Sequence, residues 1–86
     1  MDDIPKLRKK VDEIDDQILT ALCDRVKVCR EIGRAKKKQG LPIKDTSREN
    51  EVYRRLKEKS VQLKLNPDQI ERVYREIVNM CSAVQE

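Results

Sequence analysis

The sequence lacks histidine, phenylalanine and tryptophan, and its only aromatic residues are Tyr53 and Tyr74. Without histidine, a Ser-His or Cys-His nucleophilic pair is excluded and a zinc site is disfavoured. With so few aromatic side chains, any core must be aliphatic, and the basic residues have no interleaved rings on which nucleic-acid bases could stack. We therefore expect neither a metal site nor a nucleic-acid partner.

Cysteine is also scarce, and Cys23, Cys29 and Cys81 form an odd number with no CxxC spacing. We interpret them as reduced thiols packed as small apolar residues, which favours a cytoplasmic protein. The sequence shows no signal peptide and no apolar run long enough to span a membrane, so we expect no membrane partner.

The 86 residues predict one small domain over residues 1–86. Charged residues make up 42% of the chain, and they alternate with aliphatic residues instead of forming blocks, which is typical of solvated helix faces. Twenty basic and sixteen acidic residues give a net charge of +4. This modest excess would attract a small anionic substrate.

One long helix dominates the pattern. After Pro5 no proline occurs until Pro42, and a helix over residues 5–39 would be roughly 52 Å long. A compact globule of this length is only about 30 Å across, so we expect a partner chain, most economically a second copy, to bury part of the helix. Apolar residues recur along it with gaps of three and four, the period of one helical face: Ile4, Leu7, Val11, Ile14, Ile18, Ala21, Leu22, Val28, Cys29 and Ile32.

Two cations share the face of this apolar stripe. Arg25 occupies a heptad position otherwise held by isoleucine and valine, and Lys36 lies about 20° around and roughly 16 Å along the axis from it. Both side chains could extend into solvent, but a cation inside an apolar stripe needs a partner. Arg8 lies about 25 Å from Arg25, so it could reach the same ligand only from the other chain of an antiparallel pair.

Local signals end this helix and begin two more. The three predicted helices have about 35, 18 and 19 residues, which predicts an all-α fold. Gly40 provides a left-handed cap, and Gly33 inside the helix admits close approach of another element. Thr46 and Glu49 match a capping box for the second helix, and Asn66 caps the third. The predicted inner faces are Val52, Leu56 and Leu63 in the second helix, and Ile70, Val73, Tyr74, Ile77, Val78, Cys81 and Val84 in the third.

Four segments in fixed order carry a family resemblance: LRKKVDEID, then Arg25, then EIGRAK ending at Lys36, then PIKDTSRE. The series resembles the all-helical (AroQ-type) chorismate mutases over nearly the whole chain. The resemblance implies an intertwined homodimer whose long first helices pair and which converts chorismate to prephenate, without a cofactor, in phenylalanine and tyrosine synthesis. Catalysis of this pericyclic reaction rests on holding the reactive conformer and stabilising charge on the ether oxygen.

The resemblance also implies the roles of the cationic residues. Arg25 and Arg48, with Arg8 of the partner subunit, match the arginines that hold the substrate carboxylates. Lys36 and Gln85 match the two donors to the ether oxygen. From the pattern alone, Arg48 is an exposed charge and Gln85 a frayed terminal residue, so these two roles depend on the resemblance.

Three further substrate-binding residues follow in the same way. Glu49 matches the carboxylate that accepts from the substrate hydroxyl, although the pattern alone gives it only a capping role. Asp45 lies where the connector backbone helps to bind that hydroxyl. Cys81 stands where some relatives have a hydroxyl residue, and a thiol is a weaker donor. Because no participating group has an ordinary pKa between about 5 and 8, we expect a flat pH profile over that range.

Two alternatives remain open on the sequence. Isochorismate-pyruvate lyases share the scaffold and also bind a dicarboxylate enol ether, although the connector PIKDTSRE and Glu49 fit the mutases better. A non-catalytic basic helical dimer, acting as an adaptor or on nucleic acid, would leave Arg25 within the stripe unexplained. The sequence is silent on a regulatory or fused mutase domain.

Overall fold

The computed structural model describes residues 3–86, which form three helices: α1 (Ile4–Gln39), α2 (Thr46–Gln62) and α3 (Pro67–Ala83). The described range contains no strand, which confirms the all-α class. The helices have 36, 17 and 17 residues. Helix α1 begins one residue earlier than predicted because Asp3 caps it, its carboxylate accepting from the Lys6 amide at 3.2 Å.

Helix α1 sets the length of the molecule. The described chain measures 59 × 24 × 15 Å and has a radius of gyration of 16.3 Å, against about 12 Å for a compact chain of this size. Gly40 ends α1 with φ at 68° and donates to the carbonyls of Lys36 and Lys37, as predicted. None of the helices in residues 3–86 combines the length and the apolar character needed to cross a membrane.

The cap of α2 differs from the prediction by one residue. Asp45, not Thr46, is the N-cap, and its carboxylate accepts from the Arg48 amide at 3.0 Å. A carboxylate both accepts this amide and interacts favourably with the positive end of the helix dipole, which explains its preference over the neighbouring hydroxyl. The predicted N-cap of α3, Asn66, is confirmed, and Pro67 is the first helical residue.

Helix α3 packs against both other helices, whereas within the described residues α1 and α2 do not pack against each other. The buried side chains are small and lie along these contacts: Cys29 of α1, Val52 and Ser60 of α2, and Val78 and Cys81 of α3. Because α3 alone joins α1 to α2, a gap remains between these two helices beside the core.

A cluster of charges joins α2 and α3 on the solvent side. Glu71 accepts from Lys57 at 2.8 Å and from Arg75 at 2.9 Å, and the Arg75 guanidinium lies 4.7 Å from the centre of the Tyr53 ring. The hydrogen bonds from Lys57 and Arg75 lower the pKa of Glu71 below its ordinary value. Glu71 therefore links the two helices as a carboxylate.

Much of the apolar surface remains exposed. Leu63 was predicted to face inward but is 59% exposed, because it forms the C-terminal cap of α2 beyond the packed segment. Val73, also predicted to face inward, is 56% exposed on a side of α3 that the chain leaves uncovered. The N-terminal half of the α1 stripe is about half exposed throughout, at Ile4, Leu7, Val11, Ile14 and Ile18.

Candidate active site

A cavity of about 340 Å³ occupies the gap between α1 and the start of α2, with α3 as its base. This volume is at the lower end of the range for small-molecule sites. Every helix and the connector between α1 and α2 contribute to its lining: Arg25, Cys29, Ile32, Lys36, Ile43, Asp45, Arg48, Glu49, Val52, Val78, Cys81, Ser82 and Gln85.

Lys36 is held at one end of the cavity by two acceptors. Its ammonium donates to the Ile43 carbonyl at 2.5 Å and to Oε1 of Gln85 at 2.9 Å. An ammonium has three N–H donors and an amide has one acceptor and one NH₂ group. One Lys36 proton and the Gln85 NH₂ group therefore remain for a ligand in the cavity.

Gln85 contacts α1 in the structure, whereas the sequence pattern alone suggests a frayed terminal residue. It lies just beyond α3, and its backbone N–H donates to the Ser82 carbonyl at 3.1 Å. It passes directly over Gly33, which is buried. The prediction that Gly33 admits close approach of another element is confirmed.

Arg25 lies on the same cavity wall, as its shared face with Lys36 predicts. Its Nη1 donates to Sγ of Cys81 at 2.7 Å and to Sγ of Cys29 at 3.9 Å. Among the described residues no carboxylate pairs with Arg25. Because sulfur is a weak acceptor and a guanidinium has five donors, this partly buried cation is well suited to bind an anion.

The two thiols beside Arg25 are buried, Cys29 at 8% and Cys81 at 3% exposure. Burial raises the pKa of the Cys29 thiol and a hydrogen bond with Cys81 raises it further, while Arg25 and Lys36 act in the opposite direction. Cys29 is thus a neutral lining group. Cys81, predicted as a weak substrate-binding residue, lines the cavity and also accepts from Arg25.

The start of α2 forms the opposite wall. Asp45, Arg48 and Glu49 all line the cavity, but two of them have partners elsewhere: Asp45 caps α2, and Arg48 donates to Glu51 at 2.6 Å. The Arg48 side chain is 60% exposed. Its guanidinium is therefore at the rim of the cavity and paired with a solvent-exposed carboxylate.

Arg8 is the one predicted site residue that the chain does not bring to the cavity. It is exposed on the N-terminal half of α1, and seventeen residues of helix separate it from Arg25, or about 25 Å. Within one chain it has no route to the other site residues.

Six lining residues were not among the predicted site residues: Cys29, Ile32, Ile43, Val52, Val78 and Ser82. Ile43 contributes a backbone carbonyl to Lys36, and a carbonyl leaves no mark in a sequence. Ser82 and Cys29 line the cavity, and only their helical spacing from Gln85 and Arg25 could have indicated this. Ser82 places a hydroxyl next to Cys81, which itself stands where some relatives have a hydroxyl residue.

The lining contains three cations and two carboxylates, an excess of one positive charge. The cations stand on two walls with an apolar floor between them. Such an arrangement can hold a small anion with acidic groups at separate points and donate hydrogen bonds to a central oxygen.

Comparisons of the sequence and of the fold with known proteins identify the family. A family model described as chorismate mutase type II matches residues 7–86. The chain is 34% identical over 94 residues to a bifunctional chorismate mutase/prephenate dehydratase from Aquifex aeolicus, covering 99% of this chain and 24% of that protein. It is 35% identical over 54 residues to a chorismate mutase from Methanocaldococcus jannaschii, covering 63% of this chain and 54% of that protein.

The chain thus spans about a quarter of the first relative and about half of the second. A solved structure of a conserved hypothetical protein from Pyrococcus furiosus superposes with a TM-score of 0.80 at 32% identity, covering 96% of this chain and 95% of that one. The match extends over all three helices and the connector that carries Asp45. By sequence and by fold, the chain belongs to the type II chorismate mutase family.

Proposed function

We propose that this chain rearranges chorismate to prephenate, a step toward phenylalanine and tyrosine, as a homodimer with two shared sites. The observation that carries the proposal is the pairing of Lys36 with Gln85 at 2.9 Å on the cavity wall that also holds Arg25. The rearrangement is unimolecular and needs no nucleophile. What it needs is donors at the breaking C–O bond and cations at the carboxylates, which this cavity supplies.

Lys36 and Gln85 act on the ether oxygen. As the C–O bond breaks, negative charge grows on that oxygen, and the remaining Lys36 proton and the Gln85 NH₂ group donate to it. Gln85 Oε1 accepts from Lys36, and this bond leaves the amide NH₂ group free to donate to the ether oxygen. A fixed donor of this kind contributes about 3 kcal/mol to a transition state, or roughly a hundredfold in rate.

Arg25 and Arg48 hold the substrate carboxylates. Arg25 exchanges its weak sulfur acceptors for a carboxylate, to which a guanidinium can donate two parallel hydrogen bonds. Arg48 must leave Glu51, but an exposed ion pair of this kind is worth at most about 1 kcal/mol. Binding of the dianion therefore turns Arg48 into the cavity at little cost. This step adds the second arginine of the clamp that selects the reactive conformer.

The substrate hydroxyl is bound at the start of α2. Glu49 lines the cavity and is half-buried, and its carboxylate accepts from the hydroxyl. Asp45 lies beside it, and the connector backbone at this residue contributes to the same contact. Cys81 lines the cavity from α3 beside Arg25, and its thiol is a further, weaker contact to the substrate.

Dimerisation supplies the missing cation. The lining of one chain has a single excess positive charge, which is one short of a dianion. Arg8 of the partner subunit would raise the excess to two and balance the substrate. The exposed apolar stripe on the same half of α1 supports this pairing, because only a second chain can cover it. The three free thiols, Cys23, Cys29 and Cys81, suit a dimer working in the reducing cytoplasm.

The test compares chorismate and isochorismate as substrates of the purified chain. We expect chorismate to be consumed and prephenate formed, with Lys36→Ala slower by a hundredfold or more. Lys37→Ala, which removes the neighbouring exposed ammonium, is the matched control and should keep the wild-type rate. Release of pyruvate from isochorismate with chorismate untouched would favour the lyase. Equal rates for the two variants would reject the role of Lys36.

A further inference from the structure

Gly33 is buried at the point where the residue after α3 crosses α1. A Cβ atom built on Gly33 would lie 2.8 Å from Cα of Gln85 and 3.0 Å from its Cβ and Cγ. Real Cβ atoms essentially never approach another atom to less than 3.0 Å. Any side chain at position 33 would therefore occupy the space in which the Gln85 backbone lies.

Glycine is needed at position 33 because a side chain would clash with Gln85, and not because of the backbone conformation. Gly33 is in the middle of a regular α-helix, where only proline is a poorer helix former. Its backbone is not left-handed, in contrast to that of Gly40 at φ 68°. The helix thus tolerates an unfavourable residue at the one place where Gln85 rests on it.

The contact between Gly33 and Gln85 lies next to the groups proposed to act on the substrate. Gly33 and Lys36 are three residues apart, so they are neighbours on one face of α1. Gln85 spans both, with its backbone over Gly33 and its Oε1 bonded to Lys36 at 2.9 Å. We infer that Gly33 is a positioning residue. The absence of a side chain at Gly33 determines how closely the Gln85 backbone approaches α1, and thereby the alignment of the Lys36–Gln85 donor pair. This inference rests on the function proposed above.

An added methyl group would displace Gln85 and leave α1 in place. Helix α1 is held by its regular backbone hydrogen bonds, whereas Gln85 lies beyond α3 with its amide donating to the Ser82 carbonyl alone. To reach ordinary contact at 3.4 Å, Cα of Gln85 must withdraw by about 0.6 Å. If the side chain moved rigidly with Cα, the bond to Lys36 would lengthen from 2.9 Å to at most about 3.5 Å, the limit for such a hydrogen bond. Misplacement of a catalytic group by 1 Å can reduce a rate by about a hundredfold.

The experiment is a double-mutant cycle with Gly33→Ala, Gln85→Ala and the double variant. We expect Gly33→Ala to lower kcat by roughly 10- to 100-fold with a smaller change in KM, while its melting temperature stays level or rises because alanine favours the helix. The double variant should be no slower than Gln85→Ala. Multiplying effects in the double variant, or a wild-type kcat for Gly33→Ala beside a slow Gln85→Ala, would overturn the inference.

Gly40→Ala is the matched control because a Cβ there meets no atom within 4 Å. It should lower the melting temperature, since its φ of 68° strains alanine, and leave kcat unchanged. A second readout does not depend on catalysis: the side-chain amide NMR signals of Gln85, identified by their loss in Gln85→Ala, should shift in Gly33→Ala. Unshifted signals would overturn the inference. A wild-type kcat for Gln85→Ala would reject Gln85 as a donor, and the NMR signals would still decide whether Gly33 seats it.

Discussion

The uncovered stripe of α1 allows the dimer to be tested by one substitution. Burying a whole side chain of this size contributes about 1.5–3 kcal/mol, so covering the exposed half contributes about 1 kcal/mol each. In the proposed homodimer the stripe would then contribute about 5 kcal/mol per chain and about 10 kcal/mol per dimer, before the cost of association. Five residues remain 48–56% exposed: Ile4, Leu7, Val11, Ile14 and Ile18.

Ile18→Glu should dissociate this dimer. The change removes about 1 kcal/mol of burial from each chain and places two carboxylates in the interface, each at a cost of several kcal/mol if it is unpaired. A total loss on the order of 5 kcal/mol weakens association more than a thousandfold. Activity should fall with the dimer because Arg8 of the partner subunit leaves the site.

The matched control is Thr20→Glu, which adds the same carboxylate to an exposed position about 200° around the helix from Ile18. Repulsion from Asp16 and Asp24 costs it about 0.5 kcal/mol each at most, so it should remain an active dimer. Sedimentation equilibrium separates the 10.1 kDa chain from its dimer, and chorismate consumption is followed in the same samples. A wild-type chain that sediments as a monomer would rule out the homodimer, and an Ile18→Glu variant that stays dimeric would rule out the stripe as its interface.

Two further predictions concern pH. In Gln85→Glu, kcat should rise only as pH falls toward the ordinary glutamate pKa of about 4.3, because a glutamate donates only when protonated and the nearby Lys36 keeps it charged. The kcat of the wild type should be constant from about pH 5 to 8. A kcat of Gln85→Glu that does not change with pH would contradict the donor role. Glu71→Gln concerns stability: because Lys57 and Arg75 lower the folded pKa of Glu71, its stabilisation is present above the unfolded value of about 4.3 and is lost as pH falls through the lower folded value. The melting temperature of Glu71→Gln should therefore be lower at pH 7 and fall less in acid, and equal acid slopes would argue against the ion-pair cluster.

The helices could be predicted because their signals are local. The left-handed cap at Gly40 and the Asn66–Pro67 start each depend on a few neighbouring residues. Thr46 was placed one residue too late as a cap because Asp45 and Thr46 are both good N-caps, and the pattern does not decide between them. The prediction that Leu63 faces inward was wrong for a different reason. Helical periodicity predicts which face of a helix packs, but not where the packing on that face ends.

The site divides in the same way. Helical geometry alone predicted that Arg25 and Lys36 share a face, and both line the cavity. The contacts of Arg25 with Cys81 and of Lys36 with Ile43 depend on how α3 and the connector fold back onto α1. They join residues that are 56 and 7 positions apart, and no periodicity within one helix encodes such pairs. The sequence indicated that another element could approach Gly33 closely, but it did not indicate that Gln85 would be the residue in contact.

If each site is built from two chains, subunit mixing should restore activity to a pair of inactive variants. Arg8→Ala and Arg25→Ala are each expected to be inactive as homodimers. When they are mixed under conditions that exchange subunits, a mixed dimer has one doubly damaged site and one intact site. We predict that activity returns to about half of the wild-type value per mixed dimer. Persistent inactivity with exchange verified by mass spectrometry would contradict the shared site.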